Sequence, residues 1–262
     1  NYPFDRFVVN SISKFVTGSS AAAEQLKKVL QLDDSKCMVI NNGIKLRYTT
    51  ETITETKIRL GLTEFDGIYF GVVSILRPNK GHKILLEAMA QILRLDPEIL
   101  TMMKILIEGD GPLRDELERI VTTKQLSDHC VFVGCEKNIM NFMSFIDVLI
   151  LPSVSYEDFP NVILEAMGLG KPVIASQIAG TSEQVIDGIS GLLVTKGNVD
   201  QLASAIIKIS RNKQLLLRMG IEAKKRFQTH FMSETAVNKY QQLYRSSWQN
   251  KPTQKIHENI IS

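Results

Sequence analysis

Short apolar segments alternate with amphipathic stretches along most of this chain, and the alternation predicts its elements. Eight short apolar segments, most of them ended by Gly, Pro, Asn or Ser, predict strands over residues 15–18, 38–40, 68–74, 104–107, 130–133, 148–151, 172–175 and 191–194. Strands that are apolar on both faces are typical of a parallel sheet that helices cover on each side.

Apolar residues at intervals of three and four positions predict the helices. They indicate helices over residues 21–30, 82–95, 112–122, 199–210, 213–227 and 233–248, and a further helix is described with its loop below. Because predicted strands and helices alternate along the chain, we predict βαβ units in a doubly wound, Rossmann-like α/β domain with a parallel sheet, followed by C-terminal helices.

Composition narrows the class of protein. Of the 262 residues, 44% are apolar and 23% charged, which is typical of a globular protein. The 31 Lys and Arg residues exceed the 28 Asp and Glu residues by only 31 − 28 = 3, so we expect no nucleic-acid partner. The 3 cysteines and 4 histidines lack the spacing of metal ligands, so we predict no metal site.

The chain carries no apolar run of about 20 residues, the length that spans a bilayer, and no signal-peptide pattern. It opens with Asn1-Tyr2-Pro3. We therefore expect an internal part of a longer protein. Scattered cysteines favour a reducing compartment, which predicts the cytoplasm.

In a doubly wound sheet, ligands bind beyond the carboxyl ends of the strands, so the loops there are the candidate sites. The loop after residues 68–74 holds Arg77 and Lys80 and leads into a predicted helix. Two cations beside a helix N-terminus suit an anion. A solvated loop with two surface charges is the alternative.

The next loop along the chain reads Glu108-Gly109-Asp110-Gly111-Pro112. Its glycines would allow a base or a ribose to approach the backbone closely, and a plain Gly-Asp-Gly turn explains them equally well. Glu108 and Asp110 could bind a divalent ion, but no third ligand lies nearby in the sequence, so a metal is the minor alternative.

A third loop, after the sixth predicted strand, is the most informative. Pro160 suits the first turn of a helix, which leaves the backbone amides of Asn161 and Val162 as free donors. Glu165 is the only charged residue of the apolar helix that we predict over residues 162–169. A buried, unpaired carboxylate is costly, so Glu165 must meet a partner or face a polar pocket. The alternative is a core glutamate bonded to an arginine or a backbone amide.

A fourth loop, Ala179-Gly180-Thr181-Ser182-Glu183, resembles a capping box with Thr181 or Ser182 at the N-cap, although its amides could also contact a phosphate. Together the four loops describe a crevice of cations, helix N-termini and carboxylates. This chemistry suits a nucleotide diphosphate that carries a hydroxyl-rich group, whose hydroxyls Glu157 and Glu165 would bind. These residues alone do not distinguish a transferase from an epimerase or a nucleotide-binding protein.

Glu157 and Glu165 are separated by seven residues, and this E-x7-E spacing resembles the signature of retaining GT-B glycosyltransferases. The surrounding residues 152–167 resemble glycosyltransferase family 4, the group 1 transferases. Further matches follow in the family's order: Asn42-Gly43-Ile44, Leu76-Arg77-Pro78-Asn79-Lys80-Gly81-His82, Gly109-Asp110-Gly111-Pro112, Phe132-Val133-Gly134 and Gly188 with Gly191-Leu192-Leu193-Val194. The resemblance extends over roughly residues 7–230.

The resemblance implies that the chain is the C-terminal, donor-binding half of a GT-B fold. The enzyme would transfer a sugar, with retention, from a nucleotide-diphosphate-sugar to a glycan or lipid-linked acceptor in polysaccharide biosynthesis. Residues 1–34 would be the tail of a mostly absent acceptor domain, 35–227 the donor domain, 228–249 a bracing helix and 250–262 a flexible tail. We expect the chain alone to be inactive, and the absent domain to associate peripherally with the inner face of the membrane.

The family's roles carry over to matching positions. Lys80 and Arg77 would contact the diphosphate and stabilise the charge of the leaving group. Glu157 would bind the hydroxyls of the donor sugar, and Glu165 those of the ribose.

The remaining carry-over concerns the backbone. The resemblance implies that the amides around Phe159, Pro160 and Asn161 cradle the β-phosphate, and that the base lies against Gly111, Gly134 and Cys135. Such enzymes need neither a metal nor another cofactor.

Three departures from the family's pattern matter. The usual arginine aligns with Ile75, so Arg77 would have to substitute. A frequent glycine after the first glutamate is Asp158, which would add negative charge near the phosphates. The common aspartate after Asn-Gly-Ile is Lys45.

Two alternatives stay open: a GT-B epimerase that acts on the nucleotide sugar, and a non-catalytic nucleotide-sugar-binding module, which the substitution at Ile75 would permit. Because a partner domain would be absent, we predict that the helix over residues 233–248 or the strand over 15–18 exposes apolar surface or packs against a neighbouring chain.

Overall fold

The computed structural model describes residues 6–49, 51–62, 65–155 and 157–249. Its strands are β1 (Phe15–Thr17), β2 (Cys37–Val39), β3 (Ile68–Val73), β4 (Met103–Glu108), β5 (Cys130–Gly134), β6 (Val148–Leu151), β7 (Val173–Ser176) and β8 (Gly191–Val194). Its helices are α1 (Arg6–Ser11), α2 (Ser20–Leu30), α3 (Ile53–Arg59), α4 (His82–Leu95), α5 (Pro97–Leu100), α6 (Arg114–Thr123), α7 (Ile139–Phe145), α8 (Asn161–Gly168), α9 (Thr181–Gln184), α10 (Val199–Ser210), α11 (Lys213–His230) and α12 (Ser233–Gln249). These elements include every predicted strand and helix.

Six strands form one parallel sheet in the order β5-β4-β3-β6-β7-β8. The chain builds outward from β3 to β4 and β5, and then returns to place β6 on the other side of β3. The strand order therefore reverses between β3 and β6, at the middle of the sheet. In an open α/β sheet this switch point leaves a crevice beyond the carboxyl ends of the two strands.

Two apolar layers cover the sheet, because neighbouring residues of a strand point to opposite faces. Phe70 and Val72 belong to the layer that α4 and α10 close, whereas Tyr69 belongs to the layer that α7, α8 and α11 close. The doubly wound α/β architecture predicted from the doubly apolar strands is thus confirmed.

The first two strands belong to a separate structure. β1 and β2 form a two-stranded parallel sheet in which Phe15 pairs with Cys37 and Thr17 with Val39, and α2 packs against both strands. We call residues 6–39, which hold α1, β1, α2 and β2, the N-terminal unit. The domain boundary predicted between residues 34 and 35 falls between these two paired strands.

The last helix leaves much of its apolar surface uncovered. The exposed apolar and aromatic side chains of α12 are Val237, Tyr240, Tyr244 and Trp248. This agrees with the exposed surface expected on the helix over residues 233–248. The predicted tail over residues 250–262 lies outside the described residues. Within the described ranges, no helix has both the length and the apolar character needed to cross a membrane.

Candidate functional site

The loops that follow β3 and β6 meet at the switch point through a lysine and a glutamate. Lys80 Nζ donates to Glu157 Oε1 over 2.5 Å, and Ser153 Oγ donates to the same oxygen over 2.7 Å. Glu157 is only 8% exposed. Lys80 therefore compensates the charge of a carboxylate that would be costly to bury alone.

Close backbone contact fixes the two loops against each other. Gly81 has a φ of +74°, and a Cβ added there would lie 1.9 Å from the Pro152 carbonyl oxygen. The Val154 amide donates to the Asn79 carbonyl over 2.9 Å. Only a glycine at position 81 allows this approach, which brings Lys80 to the loop that carries Glu157.

At the same edge of the sheet, the loop after β4 lies beside the loop that carries Lys80, and the end of β5 lies beside the loop after β4. Leu76 N donates to the Asp110 carbonyl over 3.0 Å, and a Cβ added at Gly111 would lie 2.8 Å from Leu76 N. Gly109 N donates to the Gly134 carbonyl over 2.8 Å. Of the two glycines predicted to face the base, Gly111 thus lies against the loop that carries Lys80, whereas Gly134, at the end of β5, lies against the loop after β4.

The two carboxylates of the second predicted loop bind backbone amides. Glu108 is 8% exposed and its Oε1 accepts from Glu136 N over 3.0 Å, while Asp110 Oδ1 accepts from Gly111 N over 2.7 Å. These contacts support the turn interpretation. Across the described ranges, no three His, Cys, Asp or Glu side chains are grouped so that they could hold a metal ion.

Glu165 lies half-buried on α8. Burial raises the pKa of its carboxyl group, and the charge of Arg47 opposes that rise. Burial also raises the pKa of Glu108, and the negative charge of Glu165 adds to this effect. Within the described residues the Glu165 carboxylate accepts no hydrogen bond, so its oxygens are free to accept from a ligand.

The N-terminus of α8 is held from two sides. Asn42 Nδ2 donates to the Phe159 carbonyl over 3.1 Å and to Asn161 Oδ1 over 3.2 Å, and Gln184 Nε2 donates to the Pro160 carbonyl over 3.0 Å. The Phe159 ring is buried and lies 5.6 Å from the Phe231 ring, centroid to centroid. The free amides of this helix start are therefore held in a fixed position.

Other predicted positions lie at the rim. Arg77 is exposed, and its guanidinium forms no hydrogen bond or ion pair within the described residues. Ile75, at the position of the usual arginine, is 52% exposed, and Cys135 is also exposed. Arg77 and Ile75 precede Lys80 by three and five residues, and no hydrogen bond or ion pair within the described residues joins the Arg77 guanidinium to Lys80 or Glu157.

One expectation needs correction and another stays a prediction. Asp158 is still expected to add charge near the phosphates, and its Oδ1 accepts a hydrogen bond from Ser19 Oγ in the N-terminal unit. The predicted capping box at α9 is wrong: Gly180 is the N-cap, and the Glu183 carboxylate accepts instead from Ser20 N and Ala21 N at the start of α2. Glu183 thus caps a helix from a distant part of the chain.

Sequence reasoning gave no separate role to four contributors: Ser153, Asn42, Arg47 and His82. Three of them stood only within segments that resemble the family, and Arg47 stood in none. Ser153 and His82 are both 1% exposed, and the His82 ring nitrogen Nε2 lies 3.2 Å from Ser74 Oγ. Asn42 and Arg47 reach α8 from more than a hundred residues away, which no local pattern reveals.

The comparisons with known proteins agree with this geometry. The family model for glycosyl transferases group 1 matches residues 56–226, more than half of the chain. N-acetyl-alpha-D-glucosaminyl L-malate synthase of Bacillus anthracis is 28% identical over 198 residues, which are 75% of this chain and 50% of that protein. A UDP-Gal:alpha-D-GlcNAc-diphosphoundecaprenol alpha-1,3-galactosyltransferase of Escherichia coli is 28% identical over 221 residues, 83% of this chain and 56% of that protein. The chain thus spans about half the length of these relatives.

Solved structures show the same fold. HepE of Anabaena, crystallised with UDP and glucose, aligns with a TM-score of 0.79 and 26% identity over 89% of this chain and 63% of its own. Sucrose-phosphate synthase of Thermosynechococcus elongatus aligns with a TM-score of 0.76 and 26% identity over 94% of this chain and 62% of its own.

Proposed function

The chain belongs to the group 1 glycosyl transferases, and we propose that it binds a nucleotide-diphosphate-sugar in the crevice at the switch point of its GT-B-type sheet. The enzyme that contains it would transfer the sugar, with retention, to a glycan or lipid-linked acceptor. This chain would supply the donor-binding part of that enzyme.

The contact between Lys80 and Glu157 is the observation that carries the proposal. It joins the loops after the two central strands at the place where an open α/β sheet binds its ligands. An ammonium group and a carboxylate side by side match a ligand with charge at one end and hydroxyls at the other.

Lys80 is suited to the diphosphate. Its ammonium group can donate three hydrogen bonds and donates one to Glu157, so it can still donate to phosphate oxygens. As the bond between sugar and phosphate breaks, negative charge grows on the leaving diphosphate, and a fixed cation stabilises that charge. Arg77, exposed three residues earlier, would add a second cation, and the backbone amides on either side of Pro160, around Phe159 and Asn161, would hold the β-phosphate.

The carboxylates are suited to hydroxyl groups. Glu157 keeps acceptor capacity beside the bonds from Lys80 and Ser153, and would accept from the sugar. Glu165 would accept from the ribose, since its oxygens are free of hydrogen bonds within the described part of the chain. The base would lie against Gly111, Gly134 and Cys135.

UDP is the first nucleotide to test. The HepE structures were solved with UDP and with UDP-glucose, and HepE is 26% identical to this chain. The names of the relatives differ in their acceptors, so we propose that acceptor choice and any association with the membrane reside outside this chain.

Calorimetric titration of the chain with UDP, GDP and ADP tests the proposal. We expect binding of at least one nucleotide, weakened about tenfold by Lys80→Ala because a charged hydrogen bond to phosphate is lost. Lys83→Ala is the matched control, since Lys83 also pairs with a glutamate but on the outer surface of α4. The absence of binding by all three nucleotides, or equal losses in the two variants, would overturn the proposal.

A further inference from the structure

The residue after Glu157 forms a contact that the proposed chemistry does not use. Asp158 Oδ1 accepts from Ser19 Oγ over 2.5 Å, although 139 residues separate the two along the chain. A Cβ added at Gly18 would lie 3.0 Å from Asp158 Oδ2. The carboxylate therefore lies tightly against the N-terminal unit.

Among the residues that the structure describes, Asp158 is the acceptor for the proton of the Ser19 hydroxyl. It is the N-cap of α2, where its oxygen accepts from Ala22 N over 3.1 Å, and the residue is fully buried. A buried hydroxyl that loses its acceptor is left unsatisfied, which is costly. The Ser19 hydroxyl, which is buried, thus depends on Asp158 as its acceptor.

A second carboxylate strengthens the same junction. Glu183 accepts from Ser20 N over 3.1 Å and from Ala21 N over 3.2 Å. Asp158 and Glu183 therefore both lie at the N-terminus of α2, where negative charge interacts favourably with the helix dipole. The 11-residue α2 is held to the large sheet domain at this end.

The backbone connects this junction with Glu157. A Cβ added at Gly180 would lie 1.5 Å from the Asp158 carbonyl oxygen, and Gly180 N donates to the Glu157 carbonyl over 3.3 Å. With Asp158 held by Ser19 on one side and by Gly180 on the other, the chain at Glu157 has little freedom to move. A shift of the N-terminal unit would thus displace the carboxylate that Lys80 binds.

We propose that Asp158 is a positioning residue, which couples the placement of the N-terminal unit to the placement of Glu157 in the donor crevice. This inference rests on the proposed function, because it assigns Glu157 to the donor. In this chain, Asp158 binds the N-terminal unit to the loop that carries Glu157.

The direction in which a substitution of Asp158 changes UDP affinity distinguishes this positioning role from a simple charge effect. If the main effect of Asp158 were repulsion of phosphate, Asp158→Ala would strengthen the binding of UDP. Positioning through Ser19 predicts the reverse, a loss of about fivefold, since one buried hydrogen bond disappears. Asp158→Asn keeps an acceptor for Ser19 and should bind UDP within about twofold of the unaltered chain.

Ser19→Ala provides the test from the other side of the contact. It should weaken UDP binding as much as Asp158→Ala does, and the double variant should be no weaker than either single variant, because both remove the same contact. Ser20→Ala is the matched control: its hydroxyl bonds to Glu183 and not to Asp158, so UDP affinity should stay unchanged.

Hydrogen exchange of the unliganded chain gives a readout that does not depend on nucleotide. Ser19→Ala should speed exchange of the Gly180 amide, which binds the Glu157 carbonyl, and Ser20→Ala should not. Stronger UDP binding by Asp158→Ala, additive losses in the double variant, or an unchanged Gly180 amide in Ser19→Ala would overturn the inference. If the unaltered chain binds no nucleotide, the proposed function fails, while the exchange experiment still decides whether the contact positions the Glu157 loop.

Discussion

Two lysine–glutamate pairs begin three residues apart on the chain and lie in different surroundings. Lys80 Nζ and Glu157 Oε1 are 2.5 Å apart, with side chains 24% and 10% exposed. Lys83 Nζ and Glu116 Oε1 are also 2.5 Å apart, but their side chains are 49% and 41% exposed. The first pair lies in the crevice at the switch point, the second on the outer surface between α4 and α6.

The comparison shows that burial, not distance or residue type, separates the two roles. An exposed pair contributes about 0–1 kcal/mol, because water and salt screen it. Removing one partner of a buried pair leaves a charge that nothing compensates. Rearrangement of the Lys80–Glu157 pair on ligand binding therefore involves a larger change in free energy than rearrangement of the Lys83–Glu116 pair.

The largest expected effect concerns the glycine between the two lysines. Gly81 and Gly188 have almost the same φ, +74° and +73°. A Cβ added at Gly81 would lie 1.9 Å from a carbonyl oxygen, whereas a Cβ added at Gly188 would have no neighbouring atom within 4 Å among the described residues. We expect Gly81→Ala to lower the free energy of unfolding by about 4 kcal/mol, and Gly188→Ala by about 1 kcal/mol. Urea unfolding measures both. Equal losses would show that the crevice loops are not held by close contact.

Next in size is the effect of acid on His82. Burial, and to a lesser degree the charge of Lys80, lowers the pKa of His82 from 6.5 to about 4. Between these values the unfolded chain binds more protons than the folded one, so the free energy of unfolding falls as the pH decreases. The loss reaches about 3 kcal/mol once the pH is below both values.

His82→Leu should remove this part of the decrease in the free energy of unfolding at acidic pH. Urea unfolding at pH values from neutral to acidic measures the effect. His230→Leu, at an exposed position, is the control and should keep it. Identical pH dependence in both variants would contradict a buried, neutral His82.

The pairs themselves predict a smaller difference. Lys80→Met should lower the free energy of unfolding by about 2 kcal/mol, since Glu157 stays behind with Ser153 as its remaining donor. Lys83→Met should change it by less than about 0.5 kcal/mol. If both variants unfold at the same urea concentration, the buried pair has no special role in the unliganded fold.

The smallest effect on stability is expected at Glu165. Burial raises the pKa of its carboxyl group, so the fold loses stability as the pH rises through that raised pKa. Glu165→Gln should therefore slightly stabilise the unliganded chain at neutral pH while weakening UDP binding about tenfold. Glu116→Gln is the control for affinity. Unchanged affinity with lower stability would indicate a core glutamate.

The fold was largely predictable because its signals are local. Strands over residues 148–151 and 191–194 were predicted with the ends that the structure shows, since runs of apolar residues end abruptly at Pro152 and Thr195. The helix predicted from Pro112 begins instead at Arg114. The reason is a tertiary contact: Leu113 N donates to the Leu76 carbonyl, which holds the preceding turn against the neighbouring loop.

The site was predictable only in part. Lys80 stood out as a cation in a loop that leads into a helix, Glu165 as the one charge of an apolar helix, and Glu157 through its seven-residue spacing from Glu165. Their pairing was not predictable, since Lys80 and Glu157 are 77 residues apart. The contact of Asp158 with Ser19 was missed for the same reason, because the expectation for Asp158 followed from the comparison with the family's pattern alone.

The alternation of apolar and polar positions by itself determined that the chain forms a doubly wound sheet, and the order of strands and helices determined where its loops lie. Whether a carboxylate faces a lysine, a buried serine or an open crevice was decided by tertiary structure. Side-chain partners are chosen by distance in space, and a sequence pattern reports distance only along the chain. The reversal of strand order between β3 and β6 brings Lys80 and Glu157 close in space although they are distant along the chain. Asp158, the next residue after Glu157, has a different partner, Ser19.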